Sequence, residues 1–138
     1  MHNNHQENIH AVTKMALQFL AEVIGQCPAG LENNTNRDIV FAVLGFQYGA
    51  AQSAACVAGL DEDTSQGIAE EVIKKINGMD NETATKFLAL MPILAKKNYP
   101  PIEIGGKAII GFYNSSTEEE KLSTTTSLQE ILRQIDET

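Results

Sequence analysis

Cysteine is scarce in this chain of 138 residues: Cys27 and Cys56 are its only two thiols. They stand far apart with no metal-ligand or redox spacing. That excludes a disulfide-dense scaffold and the common zinc patterns, and it reads both as small buried hydrophobes. Basic residues are few as well. Ten Lys and Arg face eighteen Asp and Glu, giving a formal net charge of -8 and a pI near 4.8. Nucleic-acid affinity rests on basic contacts to phosphate, so that class of partner is excluded. The balance suits a basic protein partner, or solubility through net charge alone. No secretory leader is evident either: the first fourteen residues are polar with a single Lys, and the apolar stretch 15–24 is interrupted by Gln18 and Glu22. A cytoplasmic location is therefore expected. Asn33-Asn34-Thr35, Asn81-Glu82-Thr83 and Asn114-Ser115-Ser116 fit the glycosylation pattern, but without a leader they read as helix-end chemistry.

A more informative absence is local. From Ile39 to Leu60 the chain carries no charged residue and is apolar on every side. About twenty such residues would span a bilayer if helical. Gln47 and Gln52 near the middle, three glycines, and Asp61, Glu62 and Asp63 at once afterwards argue against that reading. The preferred alternative is a helix hydrophobic all round, buried at the centre of a soluble bundle. Gly45 and Gly49, with Ala50, Ala54 and Ala58, would form a narrow surface for close helix approach, or for pairing with a second copy. Gln47, Gln52 and Ser53 then need internal partners, since an unsatisfied buried polar group costs about 1–3 kcal/mol. Hydrogen-bonded locks are favoured over the lining of a polar pocket.

The remaining pattern is helical. Ile9, Val12, Ala16, Phe19, Leu20, Val23 and Ile24 form one face of a helix over 8–25, and His10, Lys14, Gln18 and Glu22 the other. Residues 1–7 are expected to be disordered ahead of it. Pro28 and Gly30 end that helix, and 31–36 reads as a polar loop. A third helix starts at Asp63 with Gln66 in capping-box spacing and stops at Gly78. A fourth runs over 82–97 with a kink or early break at Pro92. A last one begins near Ser127, after a flexible Ser-Thr-Thr-Thr-Ser connection over 123–127.

The stretch 102–113 has two readings. Alternation around Gly105-Gly106 is a hairpin signal, whereas Pro101 suits the first turn of a helix. An internal echo decides for helix. Ala42-Val43-Leu44-Gly45-Phe46 matches Ala108-Ile109-Ile110-Gly111-Phe112, and Phe19-Leu20-Ala21 matches Phe87-Leu88-Ala89. On this reading the chain is a single all-α domain of about six helices, built as two three-helix units over 8–78 and 82–137.

No motif commits the chain to a chemistry. His2, His5 and His10 lack the spacing of one helical face, so no metal or other cofactor is expected. Asp61, Asp63 and Ser65 open like a calcium loop, but position twelve is Val72 rather than Glu. Gly105-Gly106-Lys107 lacks the rest of a phosphate loop. Ser53 is not in a nucleophile elbow, and apolar neighbours would raise rather than lower the Cys56 thiol pKa. Glu70 and Glu71, being consecutive, face different directions and read as a solvated surface.

What is left is recognition. Tyr99, beside Pro100 and Pro101, could anchor a partner. The clusters Asp61-Glu62-Asp63 and Glu118-Glu119-Glu120 could steer a basic one. The sequence therefore predicts a non-catalytic, acidic, helical protein that masks or inhibits a protein partner. In size, acidity and absence of motifs it is similar to toxin-neutralising immunity proteins and secretion chaperones, by composition alone. The competing reading is a binder of a small molecule or lipid, with a pocket between the two Gly-containing helices lined by Gln47, Tyr48, Gln52 and Tyr113.

Overall fold

The computed structural model describes residues 2–26 and 37–137; Cys27, the 31–36 loop and the Asn33 sequon lie outside them. The described residues form seven helices: α1 His2–Gln26, α2 Arg37–Val57, α3 Glu62–Asn77, α4 Asn81–Lys96, α5 Pro100–Asn114, α6 Glu118–Thr125 and α7 Ser127–Glu137. No strand occurs among them, so 102–113 is helix and not hairpin. Two expectations are corrected at the ends of the chain. The backbone is already helical from His2, ahead of the expected start at 8. The Ser-Thr-rich stretch is the last turn of α6 and its cap, with Thr125 buried.

α2 is the central helix, as its uncharged run from Ile39 onward requires. It is long and apolar enough to cross a membrane, yet 61% of that window is buried inside the bundle. It packs most extensively on α5 and then on α3. The contact with α5 is made through glycine. A Cβ on Gly49 would overlap the backbone carbonyl of Ile102, and one on Gly105 would overlap that of Phe46. Gly45 faces Tyr99 and Ile102, Gly49 faces Ile102 and Gly106, and Ser53 faces Gly106, so the two helices run in the same direction. The glycine part of the small surface of α2 is thus occupied by α5, while Ala54 and Ala58 beyond it line an open groove. Gly111, the counterpart of Gly45 in the sequence echo, instead faces Thr124 of α6.

Phe19 of α1 joins the two central helices, its ring lying 6.2 Å from Phe46 and 5.2 Å from Phe112. Gly59 and Gly78 end α2 and α3 in the left-handed conformation, at φ 80° and 63°, where a side chain would be strained. α4 continues through Pro92 to Lys96. Proline cannot donate to the carbonyl four residues back.

Candidate functional site

Gln47, Tyr48 and Gln52 of α2 are hydrogen-bonded to α3, while Ser53 faces Gly106 of α5. Gln47 is 1% exposed. The Asn77 amide donates to its Oε1 at 2.7 Å and also to the Ile73 carbonyl at 2.9 Å. Next to Gln47, the Tyr48 hydroxyl donates to Gln66 Oε1 at 2.8 Å, and Gln52 Nε2 donates to the same oxygen at 3.3 Å. Gln66, expected to complete a cap from Asp63, is used here instead. The cap is Asp61, whose carboxylate accepts from the Thr64 N–H at 2.8 Å.

Gln66 is also part of a cleft of about 420 Å³ between α3 and α4. From α3 come Glu62, Gln66 and Glu70, spaced by four residues and so aligned on one face, with Asp63 beside them. From α4 come Thr85, Leu88, Ala89 and Pro92. One wall is therefore carboxylate and the other largely apolar. Behind the cleft, burial first and the Glu62 charge second raise the Tyr48 pKa above its ordinary value. The hydroxyl therefore stays protonated and able to donate to Gln66. A cation on an apolar stem matches both walls, its charge met by carboxylates and its methylenes by Leu88 and Pro92.

Only part of the expected recognition set lies here. Glu62 and Asp63 line the cleft, while Asp61 is exposed and tied to the cap. Glu118, Glu119 and Glu120 form the exposed first turn of α6. There the Glu120 carboxylate accepts from the Ser116 N–H, and the Thr117 hydroxyl accepts from the Glu120 N–H. Negative charge at that position is favoured by the helix dipole, which accounts for the cluster locally. Tyr99 does not project: it is half-buried with its ring against Gly45. Burial and then Asp38 raise its pKa.

The expected pocket between α2 and α5 is closed by the glycine contacts. Gln47, Tyr48 and Gln52 turn to α3, while Tyr113 donates to the Met15 carbonyl of α1 at 2.7 Å. A separate groove of about 280 Å³ opens at the far end of the two helices, where Val12 and Met15 of α1 face Ala54, Val57, Ile109, Ile110 and Tyr113. Cys56, expected to be buried, is exposed.

Sequence reasoning missed Glu70, set aside as solvated surface, and the whole α4 wall. The four-residue spacing of Glu62, Gln66 and Glu70 was the available signal. Among the described residues, no three His, Cys, Asp or Glu side chains converge as a metal ion would require. Fold and cleft together define an all-α bundle with an acidic, half-apolar cleft between α3 and α4. Comparisons with models of known families, with curated proteins and with solved structures find no match to the chain.

Proposed function

We propose that the chain is a non-catalytic binding protein of the cytoplasm that masks a basic segment of a protein partner in the α3–α4 cleft. The observation that supports this reading is the pairing of Glu62, Asp63 and Glu70 with Leu88, Ala89 and Pro92 across about 420 Å³. A lysine or arginine side chain needs both walls, one for its charge and one for its stem. The excess of acid over base would speed the encounter with such a partner.

Titrating the isotopically labelled protein with a lysine-rich helical peptide tests the proposal. Chemical-shift changes are expected at 62–70 and 85–92, and they should weaken steeply as salt rises. The triple variant Glu62→Gln, Asp63→Asn, Glu70→Gln should lose them. Shifts spread evenly over the molecule, or retained in the triple variant, would count against it.

A second reading rests on the groove at the ends of α1, α2 and α5, whose lining is almost wholly apolar and includes Val57 at 72% exposure. It suits an aliphatic chain. Quenching of a fatty-acid fluorophore by the protein, lost in Ile110→Glu, would support that reading; no binding by the unaltered protein would dismiss it.

A further inference from the structure

The outer face of α4 differs from the rest of the surface. Between residues 81 and 97 lie three of the ten basic residues of the chain and one of its eighteen acidic ones. Lys86, Leu90, Ile93 and Lys97 follow one another at four, three and four residues, which aligns them in a single stripe. Leu90 is 42% and Ile93 52% exposed. Glu82 opens the stripe and pairs with Lys86 at 3.6 Å, both side chains lying mostly in solvent. α4 packs on α3 and more lightly on α2, so this face points away from the bundle. Two molecules of net charge -8 repel over most of their surfaces. Here they need not.

We propose that α4 is a self-association face, on which two copies pack antiparallel through Leu90 and Ile93 about a twofold axis beside Leu90. Charge complementarity selects that arrangement. Glu82 precedes Leu90 by about 12 Å along the helix, and Lys97 follows it by about 10 Å. An antiparallel second copy therefore sets its Lys97 opposite Glu82, and its Glu82 opposite Lys97, at the two ends of the apolar patch. The Lys86 stem lies along Ile93 of the second copy with its ammonium in water. A parallel pairing would place like charges together. The contact is isologous and closes at two copies. Two helices of sixteen residues bury less than the roughly 1,200 Å² of a standard stable interface. The dimer is accordingly weak and concentration-dependent.

Sedimentation equilibrium of the full chain from micromolar to millimolar concentration tests this. A reversible monomer–dimer equilibrium is expected, and Leu90→Glu should abolish it. Glu82→Lys and Lys97→Glu should each weaken it by about tenfold, because two symmetric pairs change from attraction to repulsion. The double swap, E82K with K97E, should restore it. These side chains are exposed, and circular dichroism verifies that each variant keeps its fold. A monomer at every concentration, a dimer indifferent to Leu90→Glu, or a double swap that restores nothing overturns the proposal. Monomers that bind phosphatidylserine vesicles through the same stripe would also overturn it, in favour of a lipid surface.

Discussion

Gly49 of α2 lies directly on the backbone of Ile102 in α5, so close that a Cβ at position 49 would stand 2.7 Å from the Ile102 carbonyl carbon. The contact is reciprocal, since a Cβ on Gly105 would stand 2.8 Å from the carbonyl carbon of Phe46. In both cases the obstacle is backbone, which cannot rotate aside. Gly49→Ala and Gly105→Ala should each destabilise the fold by about 1–3 kcal/mol or more, because overpacking outweighs the better helix propensity of alanine. Gly67 of α3, with nothing within 4 Å of its Cβ position, is the control. There Gly67→Ala should stabilise by about 0.5–1 kcal/mol. Urea denaturation of the three variants gives the comparison.

The Gln47–Asn77 pair ties the central helix to α3. Asn77→Ala should cost about 1–3 kcal/mol, because it leaves the buried Gln47 amide without its partner. Gln47→Ala should cost a similar amount, and the double variant should cost less than the sum of the two. Additive losses in a double-mutant cycle would mean the pair does not act as a unit.

All three tyrosines resist ionisation. Burial is the first cause at Tyr48, Tyr99 and Tyr113, and the carboxylates of Glu62, Asp38 and Glu22 respectively add to it. A phenol whose folded pKa lies above its unfolded value stabilises fully below the unfolded value, and that stability is lost as the pH rises through the folded one. The tyrosine contribution to stability should therefore be flat up to about pH 10 and fall above it. Tyrosinate absorbance should rise together with loss of helix. Tyrosinate formed in the folded protein near the ordinary value would contradict this.

At the start of α4 the sign reverses. The Thr83 backbone N–H, donating at 2.7 Å, holds the Asp80 carboxyl below its ordinary pKa. A depressed carboxyl stabilises above its unfolded pKa and loses that contribution as the pH falls through the folded value. The advantage of the wild type over Asp80→Ala should therefore shrink on acidification below the ordinary carboxylate range. Paired thermal melts at neutral and acid pH read it directly.

The helical class and the buried run were legible because both rest on composition and period, which are local properties. Pro101 and the echo of Ala42–Phe46 at Ala108–Phe112 correctly made 102–113 a helix. The α3–α4 cleft was half legible. Glu62 and Asp63 advertise themselves by charge, whereas Leu88, Ala89 and Pro92 look like any helix surface until α4 is placed beside α3. The expected pocket failed because a narrow helix surface can hold a ligand or another helix, and α5 fills it. The seat of Tyr99 was not legible for a related reason: Gly45, far away in the sequence, leaves the space that half-buries its ring.

The uncharged run forms the middle of the bundle, locked to α5 by backbone contact. Native-state hydrogen exchange tests it most directly. Amides of 42–55 and 105–112 should exchange only through global unfolding, while those of α4, on the periphery, should open at lower free energy. Exchange in α2 as fast as in α4 would contradict a central, backbone-locked α2.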